Sequence, residues 1–326
     1  MWHFSLSEDF AVMRPRQRRS TPEGQHRPVM LQEVLQILDP QPGMIVVDCT
    51  VGWAGHSAEI LQCIGSAGML VGLDMDGENL PKASERLAAV GHPFHLEHAN
   101  FAGLLQVLAA RGITQVDAVL ADLGMSSMQV DDSERGFSYA RDGTLDMRMD
   151  RSRGRTAAQV LASIAGDELA KALRELGDEP HPDAIAAAIV QARQQTPIAT
   201  TKELTHIIQL ATKQESWQLH PTPGKWNLHP AARTFQALRI LVNRELGNLD
   251  HLLRILPSCL APAGKAAIIS FHSGEDRLVK NAFRTGLLAG TYGEISPEPL
   301  RAGLSERTSN PRSRSAKLRW AQRVTA

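Results

Sequence analysis

The sequence predicts an α/β protein, a doubly wound and mostly parallel sheet interrupted by an all-helical insertion. Three observations carry that expectation. Residues 44–122 alternate short β-rich runs with helix-length stretches, the spacing of βαβ crossovers. Residues 156–212 are helical in pattern throughout, and a buried strand pattern then returns at 265–271. With 326 residues, 43% of them hydrophobic and 21% charged, the chain has the apolar content of a globular protein with a sizeable core.

In chain order, 44–48 reads as a buried strand, 57–64 as a helix and 69–73 as a second strand running on to Asp74. A helix at 78–89, a strand at 94–98 and a strand at 116–122 complete the first block. Residues 123–155 are loop-like. Helices follow at 156–165, 167–176, 183–194 and 202–211, the last opened by the capping box Thr200-x-x-Glu203. A Pro/Gly/Trp-containing loop at 217–230 leads to one long amphipathic helix at 231–256, with Phe235, Leu238, Val242, Leu246 and Leu249 on one face. Ser273-x-x-Asp276 then opens a further helix with a second capping box. The expected domains are a basic, disordered leader at 1–25 (with Met13 as an alternative start), a sheet domain at 26–150 and 226–326, and a helical insertion at 151–225.

Thirty-five Lys+Arg balance thirty-five Asp+Glu, which excludes a binder that works by net charge alone. The balance is uneven: residues 301–326 hold seven basic side chains against Glu306, either a phosphate-meeting patch or a solvated tail. No apolar run approaches the ~20 residues of a bilayer span, so no membrane association is expected. Three cysteines without a C-x-x-C pair fit a reducing cytoplasm and suggest neither a disulfide framework nor a Cys-based zinc site. In His92-Pro-Phe-His95-Leu-Glu97-His98, strand alternation puts His95 and Glu97 opposite His92 and His98. The expectation is therefore no metal.

The first strand ends in Asp48-Cys-Thr-Val-Gly-Trp-Ala-Gly-His56. A strand, a glycine-containing turn and a helix N-terminus form the ligand crevice of an open α/β sheet, and Gly52 and Gly55 allow close backbone approach. The loop lacks the G-x-G-x-x-G spacing of dinucleotide sites, and Asp48 at its mouth repels pyrophosphate. The same carboxylate attracts a cation. S-adenosylmethionine carries a sulfonium, an ammonium and a ribose, which suits Asp48 together with Asp74, 22 residues after Gly52. Phe101, after the third strand, offers a ring to an adenine face.

Asp122-Leu-Gly-Met-Ser-Ser127 follows the fourth strand. Methyl transfer needs in-line positioning and a group that orients the acceptor's lone pair, and Asp122 is the candidate. No cysteine lies near that loop, which removes thiolate-dependent carbon methylation and leaves transfer to N or O. Gln236, Arg239 and Asn243 share the polar face of the 231–256 helix, suited either to phosphates or to solvent.

Eight segments in order resemble the bacterial ribosomal small-subunit RNA (cytosine-N4)-methyltransferase family of the RsmH/MraW type. They are His26-Arg-Pro-Val-Met-Leu-Gln-Glu33, the 48–57 loop, Asp122-Leu-Gly-Met-Ser-Ser127, Arg135-Gly-Phe-Ser138, Leu145-Asp-Met-Arg-Met-Asp150, the 229–240 run, Ile269-Ser-Phe-His-Ser273 and the 310–319 run. The resemblance implies a class I, Rossmann-like methyltransferase fold acting with S-adenosylmethionine on a decoding-region cytosine of 16S rRNA. By position it assigns cofactor contacts to Ala54, Gly55, His56, Asp74, Phe101, Asp122 and Gln129. RNA contacts are expected from Arg148, Arg239, Asn243, His272, Arg312 and Arg314, and the partner is the small ribosomal subunit.

Two departures from the family pattern bear on structure. Ala54 replaces a usual Gly, which requires a negative φ there. Gly274 replaces Leu in His272-Ser-Gly-Glu-Asp276. A 2′-O-ribose methyltransferase, with Lys82 or Lys265 as base, and a non-catalytic cofactor- and RNA-binding protein are the alternatives. A homodimer is left open.

Overall fold

A computed structural model describes residues 27–215 and 229–325; the expected leader and all but the last two residues of the 217–230 loop lie outside them. In chain order the elements are α1 (Leu31–Leu38), β1 (Ile45–Asp48), α2 (Gly55–Ile64), β2 (Met69–Asp74), α3 (Leu80–Val90), β3 (Phe94–His98), α4 (Leu104–Ala110), β4 (Val116–Asp122) and α5 (Ser127–Asp131). A helical block follows with α6 (Ala157–Ser163), α7 (Gly166–Gly177), α8 (Pro182–Arg193), α9 (Thr201–Thr212) and α10 (Ala232–Asn243). The chain ends with α11 (Glu245–Cys259), β5 (Leu260–Ser270), α12 (Ser273–Leu288), β6 (Tyr292–Ile295), α13 (Leu304–Ser309) and β7 (Lys317–Arg323).

The strands form one sheet in the order β3-β2-β1-β4-β5-β7-β6, parallel from β3 to β5 and antiparallel at β7. Side chains alternate between its two faces. Val47, Val71 and Val119 enter one core with Leu252 and Leu256, and Val46, Leu70 and Leu120 enter the other with Leu61 and Leu87. Because β1 lies between β2 and β4, the chain crosses over on opposite sides and leaves a crevice at the carboxyl ends of β1 and β4.

The helical block has its own core, built on Leu161, Leu169, Leu173, Ile185 and Leu204. That core also takes in Phe137, Leu145 and Met147 before the expected 151–225 limits, and Phe235 and Leu238 after them. The reason is packing: the amphipathic face of α10 is buried against α7.

Two sequence expectations change. The single helix at 231–256 is two helices, broken at Arg244 with φ +51. The basic C-terminal segment is not a solvated tail. Its β7 lies between β5 and β6, Arg319 is buried, and Arg319 and Lys317 both bind Asp276, at 2.6 and 2.8 Å. Asp276 is therefore not the capping acid of α12. That helix is capped one residue earlier, at His272, with Glu275 accepting from the Phe271 N–H at 2.8 Å.

Candidate active site

The turn after β1 is held from both sides. Gly52, at φ +52, donates its N–H to Asp74 Oδ2 at 2.7 Å; the left-handed backbone needed there favours glycine. Thr50 Oγ1 accepts the Asp122 N–H at 2.7 Å. These bonds tie the tips of β1, β2 and β4 into one wall. The resulting cleft is lined by Gly52, Gly55, His56, Asp74, Phe101, Asp122 and Gln129 among the expected cofactor residues.

Asp48 departs from expectation. Its carboxylate is 1% exposed and does not line the cleft. It accepts from Ser57 Oγ at 2.5 Å and the Thr50 N–H at 3.0 Å, so it braces the turn from beneath. Burial pushes its pKa up.

Ala54 also departs from expectation. It lies in the left-handed region at φ +58, fully buried below the turn. The strain is roughly 1–2 kcal/mol. In Ala54→Gly its relief is offset by losing a buried methyl of about 0.8 kcal/mol and by glycine's unfolded-state entropy. The thermal midpoint of Ala54→Gly should therefore stay near that of the parent. Ala54→Val, β-branched in the same well, should lower it by several degrees; calorimetric melts of the three proteins check this.

Asp74 is buried and Asp122 half-buried, and the two acids have different partners. Asp74 accepts from the Gly52 and Asp76 N–H groups, both at 2.7 Å, yet burial still raises its pKa to about 6. Asp122 is raised to about 6, again by burial, with His56 and Arg312 opposing. Its Oδ2 lies 3.8 Å from His56 Nδ1, while its Oδ1 is buried with no hydrogen-bond partner among the described residues. The other ring nitrogen of His56, Nε2, lies 2.9 Å from the Val29 carbonyl. A carbonyl only accepts, so Nε2 carries a proton, and Nδ1 is the nitrogen that faces Asp122.

Gln129 is held rigidly. Its Nε2 donates to Asp76 Oδ2 at 2.7 Å, and its Oε1 accepts the Ser126 N–H at 3.0 Å. Arg135, 3% exposed, donates to the same Asp76 oxygen at 2.7 Å and to the Met149 carbonyl at 2.9 Å. Asp76 therefore joins the Asp74 wall to the start of the helical block, a role that its position in sequence does not announce. Phe101 follows β3 in a short 3-10 turn and exposes part of its ring to the cleft.

The expected RNA residues divide into several groups. Arg148 grips Asp146 through Nε and Nη2 at 2.7 and 2.9 Å. Arg239 is not on a wet face: it is 9% exposed and binds Glu245 through two contacts of 2.8 Å. Asn243 is a buried strut. Its Oδ1 accepts the Met149 N–H at 2.8 Å, and its Nδ2 donates to the Met147 carbonyl at 2.8 Å. His272 Nε2 lies 3.2 Å from Glu275 Oε1, largely buried. Arg312 does reach the cleft and donates to the Met125 carbonyl. Arg314 lies near the surface, with Nε on the Arg307 carbonyl at 2.8 Å.

Sequence reasoning missed Glu245 and Glu275, which line the cleft beyond Asp122. With His272 they bring three metal-ligand atoms within 4.8 Å of one another. The Arg239 guanidinium already engages both Glu245 oxygens, so the charges there form an ion-pair network, and the set is a poor cradle for a cation. The only cue in sequence was the His-Ser-x-Glu-Asp run around Glu275.

A parallel sheet with one reversed strand near its edge, and acids at the tips of β2 and β4 where a dinucleotide site needs a phosphate cradle, defines an S-adenosylmethionine-dependent methyltransferase of the Rossmann-like class. Comparison with known proteins narrows this. The chain belongs to the MraW methylase family, whose model matches residues 23–324. It is 42% identical over 314 residues to the ribosomal RNA small subunit methyltransferase H of Geobacter sp., covering 92% of this chain and 98% of that one. It is also 42% identical over 324 residues to the protein of the same name from Solidesulfovibrio magneticus, covering 93% and 97%.

Proposed function

We propose that the protein methylates the exocyclic N4 amine of a decoding-region cytosine in the 16S rRNA of the small ribosomal subunit, in the cytoplasm. The observation that carries this reading is the buried, unpartnered Oδ1 of Asp122 in the cleft wall. A buried acceptor without a donor is costly, and an amine brings the N–H groups that it lacks.

The residues fit the methyl donor. Asp74 accepts from two backbone N–H groups and from the Asn79 side chain, and a carboxylate has about four acceptor sites, which leaves one for a ribose hydroxyl. Phe101 would meet the adenine, and the backbone of Gly52 and Gly55 the rest of the cofactor. S-adenosylmethionine supplies an electrophilic methyl group on a sulfonium. The chain's own part is orientation and proton handling. Asp122 accepts an N4–H bond, which directs the nitrogen lone pair, and takes the proton that N4 loses as its new N–C bond forms. His56 Nδ1 lies 3.8 Å from that carboxylate, its ring oriented by the contact of Nε2 with the Val29 carbonyl.

A 2′-O reading asks for a lysine base. Lys82 lies over the Trp53 ring at 3.7 Å, and no lysine lines the cleft among the described residues. Incubating the protein with S-adenosylmethionine and unmodified small subunits, then analysing the nucleosides by mass spectrometry, tests the reading. N4-methylcytidine is expected; 2′-O-methylcytidine or no product overturns it.

Asp74→Ala should weaken S-adenosylmethionine binding by about 10- to 100-fold, the loss of one hydrogen-bonded charge at ~1.5–3 kcal/mol. Titration calorimetry reads this directly. In the parent protein, hydroxyl donors favour ionised Asp74, so affinity should hold above pH 6 and fall as pH drops through about 6.

A further inference from the structure

Beside the mouth of the cleft is a second, shallow depression of about 340 Å³ lined by Leu304, Arg307, Thr308 and Arg314. We propose that Arg307 and Arg314 hold a backbone phosphate of the RNA next to the target nucleotide. This proposal rests on the RNA-methyltransferase reading above and deepens it by placing a phosphate subsite.

Three observations support it. First, no acid among the described residues lines the depression, and the acid next to Arg307 in sequence, Glu306, accepts the Met30 N–H at 2.9 Å. Second, Arg307 Nε is buried with no hydrogen-bond partner among the described residues. A buried guanidinium N–H needs an acceptor, and a phosphate oxygen is the acceptor that guanidinium geometry suits best. Third, Arg314 Nε donates to the Arg307 backbone carbonyl at 2.8 Å, which anchors the Arg314 side chain against the end of α13 that carries Arg307.

The position matches the demand of the chemistry. Arg312, two residues before Arg314, lines the cleft, and Asn310 Nδ2 reaches the Arg27 carbonyl at 3.4 Å, beside Pro28 of the cleft wall. A base that leaves its stack to enter the cleft draws its flanking phosphates over this rim. The C-terminal charge excess is also distributed accordingly. Lys317 and Arg319 are committed to Asp276, and Arg323 to the Leu260 carbonyl, all within the sheet. Arg307 and Arg314 line the depression instead.

The test is binding of small-subunit particles by the full chain between 50 and 200 mM salt, with steady-state KM for the same particles. Arg307→Ala should reduce the slope of log K against log[salt] by about 0.7–0.9, the signature of one lost phosphate contact. It should raise KM several-fold and leave S-adenosylmethionine affinity intact, which also certifies folding. Arg307→Lys should recover most of the slope, and Arg314→Ala should act in the same direction if Arg307→Ala does not fold. Should the parent methylate the particles while both alanine variants keep its slope and KM, the phosphate site is refuted alone. Should the parent neither bind nor methylate them, the RNA reading fails with it.

Discussion

Asp122→Asn is expected to reduce methyl transfer by about 10²- to 10⁴-fold, the usual worth of a positioned acid–base group. The amide keeps the shape of the carboxylate and loses its ability to take a proton. Single-turnover transfer to small-subunit particles measures it. The same substitution should make the cofactor-free protein more stable, and pH gives the sign. The folded pKa of Asp122 is about 6, raised by burial from the ordinary carboxylate value of 3.8. Folding therefore favours the protonated acid, and the penalty of ionising it grows as pH rises from about 4 to about 6 and is complete above. A rise of that size corresponds to ~3 kcal/mol as an upper bound. Thermal melts should show the Asn variant gaining several degrees at pH 7.5 and little near pH 4. A variant that keeps full activity removes Asp122 from the centre of the chemistry.

Arg239→Ala should destabilise the protein by about 3–5 kcal/mol, the effect of leaving one partner of a buried pair uncompensated. Arg239 and Glu245 are 11% and 10% exposed in their side chains, and burial pushes the Glu245 carboxyl up against the pull of Arg239. The thermal midpoint should fall by roughly 10 °C. Arg239→Met with Glu245→Leu should recover most of it, because apolar replacements remove both charges together. If Arg239 touched RNA instead, Arg239→Ala would melt normally and lose only RNA affinity.

The alternation of 44–122 was enough to set four parallel strand positions and the crevice at their ends, because period-2 burial and crossover length are local properties of the chain. Asp74, Phe101 and Asp122 were legible for the same reason: each lies at or just beyond the end of a strand, and strand ends are where an open sheet binds. Asp48 has the same address and a different role. Whether a strand-end carboxylate lies above or beneath its turn depends on Ser57 and Thr50 reaching it, and their reach depends on the turn's φ values. The positive φ of Ala54 belongs with this, since residue type argued for the opposite.

Sequence by itself determined the fold class, the family and the line of strand tips that forms the cleft. Tertiary structure decided which charges face it. On a straight helix, residues six apart point about 120° away from each other, so Arg239 and Glu245 could not be read as partners. The left-handed break at Arg244 turns the chain and brings them together. Likewise β7 was invisible as a strand because its lysine and arginines look solvated until Asp276, 41 and 43 residues away, is folded against them. Charge pairing is a long-range property: local pattern gives a residue's place along the chain, and only packing gives it a partner.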